Sequence, residues 1–282
     1  MSLLAPVQAA VVEQHRVAAL PMYDPPELAW ANDALWAAIA ERLADAGVDD
    51  LPFGLSRDGA DGARLKDPDL LLAQSCGYPF IKQLHNRVQL VATPGYLSHG
   101  CDGPFHRSVF VVRTRDRAVN LSDLRGARCA VNDEASNTGM NLLRAEIAPL
   151  AGDGRFFSQV NRTGAHDVSA HHVADGLADV ASIDAVTFAL LERVRPHVTR
   201  RLRILGWSTR SPGLPLVTAK ATGPRIQAAL IAALNGVADD PRLTEVRREL
   251  LLDRFHVLSE PHYRSILHLE RMAAEQGYPR LR

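Results

Sequence analysis

The sequence predicts an α/β protein whose strands form two largely parallel sheets in two lobes. Three observations carry that expectation. Short apolar runs rich in Val, Leu and Ala alternate with segments of helical spacing along most of the chain. Several of those runs end in a small polar turn that opens the next helix, the arrangement in which open α/β sheets gather ligands at the carboxyl ends of their strands. Finally, 282 residues are more than one such sheet ordinarily needs.

In order, 17–20 (VAAL) reads as a strand. The turn 21–26 leads from it into a helix from about Glu27 to Ala46, with Leu28, Trp30, Leu35, Trp36, Ile39 and Leu43 on one face and Pro25 and Pro26 at its entry. A second strand is expected over 51–56, a Gly- and Asp-rich loop over 58–69, and a buried strand over 69–74 (DLLLAQ). The turn 75–79 (SCGYP) opens a short helix to His85, repeating the first unit. Strand 88–93 and loop 94–104 follow, then 106–113 (HRSVFVVR), the most valine-rich strand in the chain. A helical turn at 120–126 and strand 127–131 lead to 133–144 (DEASNTGMNLLR), a tight turn and helix.

Beyond it the pattern gives a strand at 155–159, a helix at 166–176 ended by Gly176, and an alternating strand at 177–183 that delivers Asp184. Helix 186–194, strand 202–207, loop 208–215 and strand 216–218 come next. Helices at 224–236, 241–252 and 261–276 close the chain. The extended segments at 109–113 and 207–216 are the natural lobe boundaries, dividing the chain as 1–110, 111–208 and 209–282, with the middle portion inserted between two parts of the first lobe.

Composition narrows the function class. Lys plus Arg equals Asp plus Glu at 32 each, and aromatic residues are sparse, so neither a nucleic-acid platform nor an acidic surface is expected as partner. Cys76, Cys101 and Cys129 form an odd set without C-x-x-C spacing, which reads as free thiols. The N-terminal 15 residues lack a basic start and are broken by Pro6, Gln8 and Glu13, so no secretory leader is expected there, and no apolar run reaches bilayer length. There is no G-x-S-x-G, Walker or G-x-G-x-x-G motif, and the histidines lack metal-ligand spacing, so no catalytic residue, cofactor or metal is expected.

The candidate site is therefore the set of strand-end turns. Ser136 is a good N-cap, and the first-turn N–H groups, the hydroxyls of Ser136 and Thr138, the Asn137 amide and the close approach permitted by Gly139 suit an oxyanion. The same turn also reads as a plainly capped helix. Tyr23 and Asp24, the turn of Ser75, Gly77 and Tyr78, His166 and Asp184 occupy equivalent strand ends. His166 either donates to the anion or caps its helix; Asp184 either receives a ligand amine or pairs with an arginine; Tyr23 and Tyr78 either close over a ligand or pack.

The run 121–139 (LSDLRGARCAVNDEASNTG) resembles the segment L-x-D-L-x-G…D-x-x-S-x-(S/T)-G of the substrate-binding proteins of phosphate, phosphite and phosphonate ABC transporters. Flanking pieces at 18–24, 69–79, 107–113, 163–167, 176–184 and 211–215 resemble that family in the same order, so the likeness spans roughly 17–218. It implies the type II periplasmic-binding-protein fold, two lobes joined by two hinge strands, with a phosphonate- or phosphate-like anion held between them and a permease as partner. Ser136, Asn137, Thr138 and Gly139 would then hold the anion. His166 would face it from the same lobe, and Tyr23 and the Ser75–Tyr78 turn from the other, with Asp184 toward a ligand amine. Asn137 stands where the family carries a hydroxyl residue. The resemblance implies the periplasm, whereas the unremarkable N-terminus fits the cytoplasm. Two other readings share the fold: a cytosolic enzyme resembling menaquinone-pathway lyases, and an effector-sensing domain.

Overall fold

The computed structural model describes residues 16–58, 63–152 and 154–282, so the N-terminal stretch read for a leader and the centre of the 58–69 loop lie outside the described residues. Twelve strands are described: β1 Val17–Ala19, β2 Leu70–Gln74, β3 Val88–Tyr96, β4 Phe105–His106, β5 Ser108–Arg113, β6 Arg128–Val131, β7 Gln159–Arg162, β8 Val180–Asp184, β9 Leu202–Trp207, β10 Ser211–Pro212, β11 Leu216–Ala219 and β12 Leu252–His256. The first sheet has the order β1-β2-β11-β3-β12 and the second β7-β6-β8-β5-β9. The chain leaves the first sheet through β4 and returns through β10, and these two pair antiparallel, Ser211 against His106 and Pro212 against Phe105. This is the expected two-lobe α/β architecture.

The sheets are mixed rather than mainly parallel, which corrects the sequence expectation. Parallel pairing is confined to β1 with β2 and to β6 with β7 and β8. Strands that belong to the crossings run the other way: β11 is antiparallel to β2 and β3, and β5 is antiparallel to β8 and β9. A strand that returns from the other lobe enters its sheet from the opposite end, so each crossing reverses the local direction. The 109–113 segment, read as a boundary, is seated between β8 and β9 inside the second sheet.

Hydrophobic periodicity located most elements because both faces of the central strands are covered. Every residue of β2 and of β8 is buried. The helix Ala29–Asp45 buries Leu35, Trp36, Ile39 and Leu43 against the first sheet, together with Leu230, Leu234 and Val237 of the helix Pro224–Asp239. In the second lobe, Leu143 and Ile147 of the helix Leu142–Ala151 pack with Phe110, Val112 and Val180.

Several boundaries differ from expectation. Residues 51–56 form no strand; one bond, Ser56 N–H to the Ala18 carbonyl at 2.7 Å, touches β1, while the Pro52 carbonyl accepts from Trp36 Nε1 at 3.2 Å. The strand expected at 155–159 begins only at Gln159, because the amides of Phe156 and Phe157 instead donate to the Arg282 carbonyl, at 2.7 and 3.2 Å. The helix expected to reach Leu252 stops at Glu249; Leu251 takes φ +56°, and the chain turns into edge strand β12.

The last helix, Glu260–Glu275, crosses between the lobes. Tyr263 and Ile266 near its start lie in the cluster with Tyr78 and Phe80 of the first lobe. Ala273 near its end and Tyr278 beyond it lie in the second-lobe cluster with Phe156, Phe157 and Cys129, Tyr278 being fully buried.

Candidate ligand-binding cleft

The 133–144 stretch folds as strand, turn and helix, and the turn is wider than an ordinary α-turn. Ser136 has extended backbone and its hydroxyl accepts from the Gly139 amide at 2.9 Å, the N-cap expected from sequence. The Asn141 amide then donates to the Ser136 carbonyl at 3.0 Å, five residues back, so Asn137–Asn141 is a π-turn of the kind that re-aims side chains near functional sites. The side chains of Ser136, Asn137 and Thr138 are each anchored. The Thr138 carbonyl accepts from the hydroxyls of Ser108 at 2.7 Å and Ser182 at 2.5 Å, and its own hydroxyl lies 3.1 Å from His166 Nε2. Asn137 Nδ2 donates to Ser211 Oγ at 2.8 Å, in the return crossing. Gly139 is required by space: a Cβ there would fall 1.7 Å from Asn132 Oδ1 and 3.1 Å from His166 Cε1.

Asp184, at the end of β8, joins the lobes. Its Oδ1 caps the helix Ala185–Val194 by accepting from the Val186 and Thr187 amides, at 2.9 and 3.2 Å, and accepts from the Tyr23 hydroxyl of the first lobe at 2.8 Å. Its Oδ2 lies 3.1 Å from His106 Nδ1, with the bond poorly aligned. Burial pushes the Asp184 carboxyl up, but His106, His166 and Tyr23 together hold it at about 2, so it is ionised. Burial pushes His166 below the usual imidazole value, opposed in part by Asp184, which keeps the ring neutral near pH 7. Tyr23 is raised well above the phenol range by burial and by the same carboxylate, so its hydroxyl stays protonated and donates to Asp184. No arginine pairs with Asp184; its side-chain neighbours are Tyr23 and His106.

The lobe-one turn reaches the same place through Cys76. The Asn137 amide points at Cys76 Sγ, 3.3 Å away, across the lobe boundary. Burial raises the Cys76 thiol, the amides of Asn137, Tyr78 and Gly77 opposing it, so the sulfur is a neutral thiol. Ser75 is fully buried, and its hydroxyl is turned to the Cys76 carbonyl at 3.2 Å. Gly77 makes room for the last helix, since a Cβ would lie 2.8 Å from Ile266 Cδ1. Tyr78 points elsewhere, its hydroxyl accepting from Lys82 Nζ at 2.9 Å. Asp24 is tied to Arg57 at 2.7 Å and to Asn32 at 3.0 Å.

Thus Tyr23, Asp184, His166, Thr138, Gly139, Ser136 and Asn137 form one connected constellation, with Ser75 and Gly77 flanking it and Tyr78 outside it. Around it, Asn132 Oδ1 and His106 Nε2 are buried without a hydrogen-bond partner, and Asp184 Oδ2 has only the poorly aligned His106 Nδ1 at 3.1 Å. Such atoms are costly to bury unpaired. Sequence reasoning passed over His106, Asn132, Ser108 and Ser182. His106 was read as the start of a strand, and Asn132 as the step before the turn; their position at strand ends facing the turn was the available signal. Among the described residues no cluster of His, Cys, Asp or Glu is suited to a metal, the three cysteines are free, and no helix is long and apolar enough to cross a membrane.

Solved structures share this fold. A binding-protein component of an ABC phosphonate transporter from Pseudomonas aeruginosa aligns with a TM-score of 0.74 at 15% identity, covering 93% of this chain and 87% of that one. PhnD1 from Prochlorococcus marinus in complex with methylphosphonate aligns at 0.72 and 14% identity, covering 92% and 98%. A Xanthomonas citri protein bound to ATP aligns at 0.68 and 16% identity, covering 93% and 98%. Residues 17–263 match the family described as ABC transporter, phosphonate, periplasmic substrate-binding protein. That family is a transporter component rather than an enzyme, which sets the lyase reading aside. With its two-lobe fold and with most of its length matched, the chain belongs to the family of phosphonate ABC-transporter periplasmic substrate-binding proteins.

Proposed function

We propose that the protein captures a small phosphonate-like oxyanion at the Ser136–Gly139 turn and delivers it to an ABC permease. The observation that carries this reading is the set of unpartnered buried polar atoms around a helix N-terminus, with Tyr23 and Asp184 meeting across the lobes. The first-turn amides and the Thr138 hydroxyl supply donors to the anion, with His166 neutral beside them. Because Asp184 is ionised, a ligand carrying a second negative charge toward it is disfavoured, whereas an amine there is favoured. Methylphosphonate, which the Prochlorococcus protein holds, and aminoalkylphosphonates are the natural candidates.

Capture is proposed to proceed by turning of the lobe that carries β1–β3, β11 and β12 against the lobe that carries β5–β9, about the paired crossings β4 and β10. The Tyr23–Asp184 and Asn137–Ser211 bonds would form on closing. Four or five charge-assisted bonds at roughly 1.5–3 kcal/mol each leave micromolar affinity after association costs. Calorimetry with phosphate, phosphite, methylphosphonate, aminoethylphosphonate and a sulfonate tests the reading. At least one phosphonate is expected to bind in the micromolar range, and Ser136→Ala or Thr138→Ala is expected to weaken it about tenfold. Absence of binding by the whole panel below millimolar concentration removes the assignment.

A further inference from the structure

A solvent-open cavity lies outside this cleft. Its volume is about 580 Å³, within the range of small-molecule sites, and it is open to solvent between the first-lobe helix that carries Lys82, the second-lobe strands β6 and β7, and the tail beyond the last helix. Four cationic side chains line it, namely Lys82, Arg144, Arg162 and Arg280, against the two carboxylates Glu134 and Glu270. Val131, Met140, Val160 and Leu281 supply its apolar lining.

The cations differ in how far they are already committed. Lys82 Nζ pairs with Glu270 at 2.7 Å and donates to the Tyr78 hydroxyl at 2.9 Å. Arg162 pairs with Asp133. Arg144 is 4% exposed, and its terminal nitrogens donate to the Pro279 carbonyl and to Asn141 Oδ1. Its Nε is buried without a partner. Arg280 is exposed and has no partner among the described residues. The buried Arg144 and the exposed Arg280, which has no partner among the described residues, thus line the same opening together with apolar side chains.

We propose that this groove is a second ligand site, for a small organic anion that joins one oxyanion head to a short aliphatic body. The head would sit at Arg280 and Arg144, and the body along Val160, Met140 and Leu281. Because Lys82 belongs to the first lobe, Arg144 and Arg162 to the second, and Arg280 to the tail, one ligand would touch all three segments. The site lies outside the Ser136–Gly139 contacts and meets that turn only through Met140 and the Arg144–Asn141 bond, so it is tested separately from the function proposed above.

Calorimetric titration of the full chain with hexanoate tests it, with acetate as the same head lacking the chain. Hexanoate is expected to bind one molecule in the high-micromolar range and acetate at least tenfold more weakly, since each buried methylene adds to affinity. Arg280→Glu, at an exposed position that the core does not need, is expected to weaken hexanoate at least tenfold while leaving methylphosphonate binding unchanged. Val160→Trp, which fills the groove, gives a second route to the same loss. Ser136→Ala is expected to leave hexanoate untouched, whatever it does to phosphonates. The proposal is overturned by no hexanoate binding below millimolar concentration, by equal affinity for acetate, by hexanoate affinity unmoved in both Arg280→Glu and Val160→Trp, or by its loss in Ser136→Ala.

Discussion

Removing the Tyr23 hydroxyl tests the link between the lobes most directly. It donates to Asp184 Oδ1 at 2.8 Å, with Tyr23 and Asp184 only 5% and 2% exposed. A bond of this charge-assisted type contributes about 1.5–3 kcal/mol. In Tyr23→Phe the acceptor is not stranded, because Oδ1 retains the Val186 and Thr187 amides at 2.9 and 3.2 Å. The lower end therefore applies, a loss of about 1.5 kcal/mol, which equals about a tenfold shift toward separated lobes. Asp184→Asn keeps an N-cap but removes the charge that faces His106, so about 3 kcal/mol is expected. In the double variant the Tyr23 bond can be lost only once, and the two effects should fall short of additivity by about 1–1.5 kcal/mol. Urea unfolding of the four proteins at pH 7 gives this coupling, and small-angle scattering without ligand gives the shift in lobe separation. Additive effects, with coupling under about 0.5 kcal/mol, would refute the bond as a link that the folded protein depends on.

Gly139→Ala should destabilise by about 1–3 kcal/mol, because the new Cβ would fall 1.7 Å from Asn132 Oδ1; Asn132→Ala in the same background should recover most of that loss in a thermal melt. Acid unfolding should show the Asp184 contribution with a definite sign. Its folded value of about 2 lies below the unfolded carboxylate value near 3.8, so the stabilisation, about 2–3 kcal/mol, is complete above pH 4 and is lost as pH falls toward 2. Asp184→Asn should flatten the stability profile in that window. Thiol titration of the native protein at pH 8 should be slow at all three cysteines, since burial raises each and lifts Cys101 to about 11; rapid reaction of Cys76 would show that the lobes part readily without ligand.

The fold was legible wherever apolar period and turn chemistry agreed. Leu70–Gln74 and Val180–Asp184 read as buried strands because both their faces are covered, and Ser136 read as a cap because its hydroxyl meets the Gly139 amide. Leu250–Leu252 suited helix and strand alike, and the left-handed backbone at Leu251 decides between them. Within the cleft, Tyr23 and Asp184 were visible as polar groups at strand ends, yet their mutual contact spans 161 positions and leaves no local trace. Tyr78 carried the same local signal and faces Lys82 in a different groove, because a helix side chain can leave its turn on either side. His106 and Asn132 escaped notice since neither belongs to a motif; they matter through what surrounds them.

The last helix has a consequence for how the chain reaches its native state. All five strands of the second sheet come from residues 108–207, a contiguous stretch that emerges from the ribosome well before the end. Its core nevertheless holds Ala273 and Tyr278, the latter wholly enclosed beside Phe156 and Phe157. That lobe therefore lacks part of its aromatic core until residues 273–278 have been synthesised. The two lobes are expected to fold in one cooperative step, and residues 108–207 expressed by themselves should give a loosely packed species that binds hydrophobic dyes.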